Sequence, residues 1–249
     1  MEAYTNFAYV YDIMMGSVPY DEWAQYVKML LEKDDIRPGS RLVELGCGTG
    51  AFTLELCKLG YKMTGIDLSS DMLSVAKDKF EKTDYADTVF SEQDMQEFAL
   101  PEKVDALVCV CDSINYVMDV KGLEKVFRCA EQSLKSNGVF VMDLKTKYFY
   151  ENVLAYNTMA ENFPTCSYIW DNYYHENDRV NEYLLTLFVQ EGKHHYRKYV
   201  ETHFQKAYEV DEVIEAARKS GFTNISIYDA FTMDKPDKGS ERVYFVFRR

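Results

Sequence analysis

Apolar positions along the chain keep a helical period over some stretches and a strand period over others. Between Tyr20 and Lys33, residues Trp23, Tyr26, Val27, Leu30 and Leu31 recur at three- and four-residue steps, which predicts an amphipathic helix. Arg37-Pro38-Gly39-Ser40 breaks it, and Arg41 to Leu45 reads as a short strand. A helix is expected over Phe52 to Leu59, closed at Gly60, and a second strand over Lys62 to Ile66. Ser69 or Ser70 caps a helix presenting Met72, Leu73, Val75, Ala76 and Phe80. Thr88 to Ser91 reads as a third strand. Val104 to Cys111 is apolar almost throughout, as a central parallel strand covered on both faces requires. Leu123, Val126, Phe127, Ala130 and Leu134 form another helical stripe, which Asn137-Gly138 is expected to stop before a fifth strand, Val139 to Leu144.

The rhythm then changes. Cys166 to Tyr208 reads as three antiparallel strands, with turns at Glu176-Asn177-Asp178-Arg179 and Glu191-Gly192-Lys193. Alternation puts Tyr168, Trp170, Tyr174, Tyr183, Leu185, Leu187, Val200 and Phe204 on one face, expected to pack toward the rest of the chain. Ile169, Tyr173, Leu184, Phe188, Tyr199 and His203 fall on the other. Helix and strand resume at Asp211 to Lys219, Asn224 to Tyr228 and Arg242 to Phe247. The fold expected is α/β: a doubly wound, Rossmann-like, seven-stranded, mostly parallel sheet with a small antiparallel β insertion after the fifth strand. The expected division is residues 1–35 as an N-terminal lid and helix, 36–150 plus 209–249 as the α/β domain, and 151–208 as the inserted subdomain.

Composition narrows the chemistry. The chain has 249 residues and a formal charge of −13, with no cluster of four basic residues. That disfavours a nucleic-acid backbone or an anionic membrane as partner. No apolar run reaches the ~18 residues of a membrane span, and the opening residues lack the basic-then-apolar pattern of a secretory signal, so a cytoplasmic location is expected. Cys47, Cys57, Cys109, Cys111, Cys129 and Cys166 form no Cys-x-x-Cys pair and are read as reduced thiols. His175, His194, His195 and His203 all fall in the insertion without metal-ligand spacing, and no metal site is expected. Partly exposed strand histidines account for them.

Between the first strand and its helix runs Val43-Glu44-Leu45-Gly46-Cys47-Gly48-Thr49-Gly50, and Asp67 ends the second strand. A glycine loop in that context lets a ligand approach the backbone, and the acid can accept from both hydroxyls of a ribose. A dinucleotide loop reads G-x-G-x-x-G because a pyrophosphate sits on the helix N-terminus. Here the loop reads G-x-G-x-G with Glu44 beside it. A carboxylate suits the cationic S-adenosyl-L-methionine (SAM) and would repel a pyrophosphate.

These residues resemble the class I SAM-dependent methyltransferases over roughly residues 36 to 148 plus 209 to 249. The ribose motif is matched by Gly65-Ile66-Asp67-Leu68-Ser69, the adenine motif by Gln93-Asp94-Met95, and the fourth strand by Asp105 to Asp112. The resemblance implies that Asp67 binds the ribose and Asp94 the adenine amino group. Leu68 and Met95 would flank the base, and Gly46 and Gly48 would line the methionine moiety. Glu44, Cys47, Met72 and Cys111 complete the implied cofactor set. Phe7-Ala8-Tyr9-Val10-Tyr11-Asp12 resembles the N-terminal lid of bacterial small-molecule methyltransferases, including sugar N-methyltransferases and glycine N-methyltransferase, with Tyr11 closing over the cofactor. Relatives often carry a His just after the acid that follows strand five. Here Asp143-Leu144 leads to Lys145, so no base is carried over.

Asp112-Ser113-Ile114-Asn115-Tyr116 begins where the fourth strand ends, the edge at which open α/β sheets bind ligands. Asp112, Asn115 and Tyr116 are therefore the candidate catalytic residues, with Tyr11 beside them, against a bland reading as a solvated Asx turn. The function expected is methyl transfer to nitrogen or oxygen of a small-molecule acceptor. A nicotinamide-dependent oxidoreductase and a non-catalytic SAM-binding module remain as alternatives, and assembly as a homodimer is left open.

Overall fold

The structure, a computed structural model, describes residues 5–249. The side chains of Phe7 and Tyr9, part of the expected lid motif, lie outside the described residues. In chain order the elements are α1 (Thr5–Met14), α2 (Tyr20–Glu32), β1 (Arg41–Leu45), α3 (Ala51–Lys58), β2 (Lys62–Asp67), α4 (Ser70–Phe80), β3 (Val89–Glu92) and β4 (Val104–Cys109). A 3₁₀ turn (Ser113–Tyr116) precedes α5 (Val120–Ser133) and β5 (Leu134–Lys145). A π-helical turn (Phe149–Leu154) then leads to β6 (Thr158–Asn162), β7 (Cys166–His175), β8 (Val180–Gln190) and β9 (Tyr196–Lys206), and α6 (Val210–Lys219), β10 (Asn224–Asp229) and β11 (Arg242–Arg248) complete the fold.

Seven strands form one sheet in the order β10-β11-β5-β4-β1-β2-β3. Only β11 runs against its neighbours, pairing antiparallel with both β5 and β10. Central β4 is apolar because both its faces are covered. Leu107 and Cys109 pack with α5 and α6, while Ala106, Val108 and Val110 pack with the α2–α3 side. The strand order reverses between β1 and its neighbours β4 and β2, which opens a crevice at their carboxyl ends.

The second sheet has the order β6-β7-β8-β9, all antiparallel. Its inner face meets α1 and α4 in an apolar cluster of Ala8, Val10, Met14, Met72, Leu185 and Leu187. On β7 and β8 the predicted inner residues are the inner ones. On β9 the prediction is off by one residue. Leu185 pairs with Glu201 and Tyr183 with His203, so Glu201, His203 and Gln205 face inward and Val200 and Phe204 face solvent. The expectation followed the hydrophobic residues, and a one-residue slip inverts a whole strand.

Two smaller differences have local causes. Asn137-Gly138 does not stop α5, which ends at Ser133. It sits inside β5, where the register to β4 jumps from Val104↔Leu134 to Ala106↔Val139, a bulge. β6 was not expected because all five of its residues, Thr-Met-Ala-Glu-Asn, are exposed on an edge strand and carry no apolar alternation.

Candidate functional site

The loop from Gly46 to Gly50 closes the β1 end of the crevice. Gly46 and Cys47 both donate their N–H groups to the Ile66 carbonyl, at 2.8 and 3.0 Å, which ties the loop to β2. Gly46 has φ +71°, and a Cβ there would lie 2.7 Å from Ser113 Cβ, so the close approach of the loop to the 3₁₀ turn demands glycine. Gly48 has φ +53°, and its missing side chain would point into open space. Of the two, Gly48 is the one whose bare backbone borders room for a ligand.

Asp67 organises this loop. Its Oδ2 accepts from Gly48 N at 2.7 Å and its Oδ1 from Ser69 N at 2.9 Å. Burial pushes its pKa up, against the pull of those N–H donors. Glu44, at the end of β1, is buried and accepts from the Thr53 hydroxyl of α3. Burial, reinforced by the Asp67 charge and opposed by the Thr53 bond, moves its pKa up to about 8. Two acids with raised pKa values behind a glycine loop form a site that gains by receiving a cation.

Helix α1 lies across the loop. Thr49 Oγ1 donates to Asp12 Oδ1 at 2.5 Å, and Lys79 Nζ of α4 stands 2.8 Å from Asp12 Oδ2. Tyr11, on the same helix, is hydrogen-bonded to Tyr20, and burial above all drives both phenols to high pKa. Helix α1 is thus tied to the glycine loop and to α4.

At the end of β4 the backbone takes an uncommon course. Cys111 and Asp112 have φ +58° and +54°, consecutive left-handed residues of which neither is glycine. A charged network holds them. Asp112 N donates to Asp143 Oδ1 at 2.8 Å. Asp112 Oδ1 accepts from Arg242 Nη2 at 2.7 Å, and its Oδ2 accepts from Gln205 Nε2 at 2.9 Å and faces Lys145 Nζ at 3.2 Å. Arg242 Nη1 reaches Asp143 Oδ2 at 2.5 Å, and its guanidinium lies over the Trp23 ring. Gln205 Oε1 accepts from the hydroxyls of Tyr150 at 2.8 Å and Tyr183 at 2.6 Å. Burial alone would raise the Asp112 pKa, but Lys145 and Arg242 outweigh it and the result is lowered. Asp143, deeper and beside a second carboxylate, is raised mainly by burial.

The predicted residues therefore separate. Gly46, Gly48 and Asp67 lie together at the ends of β1 and β2, with Glu44 buried against Thr53 behind them. Met95 reaches the loop as well, its Cε 3.4 Å from where a Gly46 Cβ would stand. Leu68 is exposed just beyond β2. Asp94 accepts from Gln96 N at 2.8 Å in a tight turn below β3. Cys47 turns its thiol into the core, 2.8 Å from where a Gly65 Cβ would stand, so only its backbone borders the crevice. Met72 is buried beneath α1.

The candidate catalytic residues fare differently. Asp112 is occupied by two cations and an amide, and its lowered pKa makes it a poor proton acceptor. Asn115 is fully buried and spent on backbone. Its Nδ2 donates to the carbonyls of Lys206 at 2.8 Å and Lys145 at 3.2 Å, and its Oδ1 accepts from Lys145 N at 3.1 Å. Tyr116 remains half-exposed at the mouth, its ring edge-on to His203 at 6.2 Å. Glu201, His203, Gln205, Lys145 and Arg242 were not predicted as site residues. The sequence signal for the first three was polar alternation opposite Val200 and Phe204, read with the wrong face inward.

The comparisons agree with this geometry. A family profile described as a methyltransferase domain matches residues 42–138. The chain is 32% identical over 246 residues to a putative methyltransferase of Geobacillus sp. (strain WCH70), covering 99% of both chains. It is 31% identical over 243 residues to another of Bacillus subtilis (strain 168), covering 97% of this chain and 95% of that protein. The crystal structure of a SAM-dependent methyltransferase from Clostridium acetobutylicum superposes with a TM-score of 0.86 at 27% identity, covering 98% of each chain. A sugar N-methyltransferase from Streptoalloteichus sp. shares the fold, with a TM-score of 0.79 at 19% identity over 97% of this chain and 92% of that one. A loop suited to a cation, an acid at the end of β2 and relatives matched along the whole length exclude the nicotinamide reading: the chain belongs to the SAM-dependent methyltransferase family, with SAM as its cofactor.

Proposed function

We propose that this enzyme methylates a nitrogen of a small polar molecule. The observation that carries the reading is the roof over the crevice. The inner face of β7, β8 and β9 sets Trp170, Tyr183, Glu201 and His203 above the sheet ends, with α1 closed beside them. Aromatic rings and a carboxylate suit an amine, which arrives as a cation. A buried roof and a net charge of −13 leave no basic track for a polymer backbone. Among the described residues, no helix is long and apolar enough to cross a membrane. The sugar N-methyltransferase among the structural neighbours supports the same class of acceptor.

Within this reading Asp67 takes the ribose hydroxyls, and Asp94, Met95 and Leu68 border the adenine. Gly46, Gly48 and the Cys47 backbone lie along the methionine part, with Glu44, Tyr11 and Cys111 nearby. SAM supplies a methyl group already activated by its sulfonium. The chain aligns the nucleophile, excludes water under α1 and handles one proton. The test is SAM turnover over a panel of amino sugars, amino acids, simple amines and phenols. Methylation of phenols alone would overturn the choice of nitrogen.

Asp67→Ala is expected to weaken SAM binding by about 1.5–3 kcal/mol, the range for hydrogen bonds to a charged group, because it removes the carboxylate that also orders Gly48. Unchanged calorimetric affinity would contradict the ribose role.

Glu44 gives a pH signature. With a pKa of about 8 in the free protein it is mostly protonated at neutral pH. A cationic ligand favours its ionised form, so SAM binding should release a proton near pH 7, and affinity should gain from rising pH up to about 8. The α-amino group of SAM titrates in the same range, so the measured quantity is the difference between wild type and Glu44→Gln. Proton release, read by calorimetry in two buffers, should fall in the variant; equal release would remove Glu44 from the cation's surroundings.

A further inference from the structure

We infer that the outer face of the antiparallel sheet is a dimerisation surface. A second copy of this chain packs on it face to face, about a two-fold axis running across the strands.

The two faces of β6 to β9 keep different company. The inner one meets α1, α4 and the π-helical turn in apolar clusters. The outer one belongs to none of the apolar clusters of the described residues, yet it is not a polar face. On β7, Ile169 and Tyr173 are 39% and 42% exposed, and on β9, Val200 and Phe204 are 53% and 44% exposed. Leu184 and Phe188 of β8 lie between those strands, half-buried. A sheet face left in water ordinarily carries polar residues, and a contiguous apolar patch marks a contact surface.

The face is large enough for one particular occupant. Strands β7, β8 and β9 have 10, 11 and 11 residues, and β6 has 5. At ~3.4 Å per residue and ~4.8 Å between strands, the four cover about 600 Å². Two copies laid together bury about 1,200 Å² before side-chain relief is added, which reaches the size of a stable interface.

Shape and charge match this face to itself. At one end lies a hollow of about 400 Å³ lined by Ala160, Ser167, Ile169, Phe188 and Tyr196. At the other end Tyr173 and Phe204 stand on either side of Glu182 in one cross-strand row. A two-fold axis between the row of Ile169, Thr186 and Val200 and the row of Asp171, Leu184 and Thr202 exchanges the two ends. Tyr173 of each copy then stands over Ser167 of the other, and each hollow receives an aromatic side chain. Lys198, exposed and in no ion pair among the described residues, occupies the row of Ser167 and Phe188. The exchange brings it beside Glu182 of the second copy, a carboxylate that meets His175 of its own chain at 2.9 Å. Each contact occurs twice, as an isologous interface requires, and the surface is used up in a closed dimer.

Sedimentation velocity of the full chain at micromolar concentrations tests this, with wild type expected at twice the monomer mass. Val200→Asp puts a carboxylate next to the axis, against Leu184 of the other copy, and should sediment as a monomer. Because Val200 is exposed in the single chain, circular dichroism and calorimetric affinity for SAM should stay as in wild type. Lys198→Glu and Glu182→Lys each set like charges against each other twice, so each should raise the dimer dissociation constant by at least about tenfold. The double variant Lys198→Glu with Glu182→Lys should recover most of that loss. Within one chain the two positions lie about 20 Å apart along paired strands, so recovery has no intramolecular route. A wild-type monomer throughout the concentration range overturns the proposal, as does a dimer that survives Val200→Asp. A double variant no better than its parents overturns the orientation of the two copies. Should Val200→Asp not fold, the charge-exchange series decides.

Discussion

Arg242→Met should lower the unfolding free energy by about 3–5 kcal/mol, the cost of removing one member of a buried charged cluster. Arg242 is the only side chain that binds both Asp112 and Asp143 among the described residues, at 2.7 and 2.5 Å. Asp143 is wholly buried, and without the guanidinium its carboxylate keeps only the Asp112 N–H as a donor. Methionine keeps most of the stem that packs near Trp23, so the loss reports the charge rather than a cavity. For a chain of this length each kcal/mol moves the midpoint by roughly 2–4 °C, giving a drop of roughly 6–20 °C in calorimetric Tm. The same variant should bind SAM less well, because Asp112 and the left-handed backbone at Cys111 and Asp112 lose their anchor. A loss under about 1 kcal/mol in urea unfolding would mean that Lys145 and Gln205 suffice for Asp112 and that Asp143 is held by the Asp112 N–H alone.

That network shows where sequence reading reaches its limit. The strand-loop-helix around Gly46 and the acid ending β2 are local patterns, and local patterns survive without coordinates. The place of Asp112 at the end of β4 was equally readable. Its partners were not, because Arg242 lies 130 residues away and comes in on the antiparallel strand β11. A carboxylate in a cleft reads as a base until the cations that hold it are seen. Asn115 is alike in this respect: an amide at the end of a strand is also what a buried turn needs to satisfy the carbonyls of Lys145 and Lys206.

The β9 inversion has a further cause. Val200 and Phe204 invite an inward assignment because apolar side chains usually mark the buried face of a strand. Here the chain turns Glu201, His203 and Gln205 to the inner face instead. The strands beneath, β7 and β8, bury Tyr174, Tyr183, Leu185 and Leu187 in the ordinary way, and there the pattern was read correctly. Buried polar residues also stand on their inner faces, Asn172 on β7 and Asn181 on β8, so the departure from the hydrophobic rule is concentrated on β9 rather than confined to it.

Gly48→Val should abolish measurable SAM binding while leaving the fold in place. A Cβ at position 48 meets no atom within 4 Å, so the substitution creates no clash inside the protein. In the reading proposed above, the side chain projects instead into the room for the methionine part of SAM. A β-branched residue at φ +53° also strains the backbone by about 1–3 kcal/mol, and relieving that strain would pull the Gly48 N–H away from Asp67 Oδ2. Both effects act on binding, with only the strain reaching stability. Position 46 supplies the contrast, since a side chain there would stand 2.7 Å from Ser113 Cβ and Gly46→Val should disturb the fold itself. Calorimetric titration with SAM, beside circular dichroism and thermal melts of both variants, separates the outcomes. A folded Gly48→Val protein that binds SAM within about threefold of wild type would place the methionine part elsewhere, and the loop's role in holding the cofactor would have to be withdrawn.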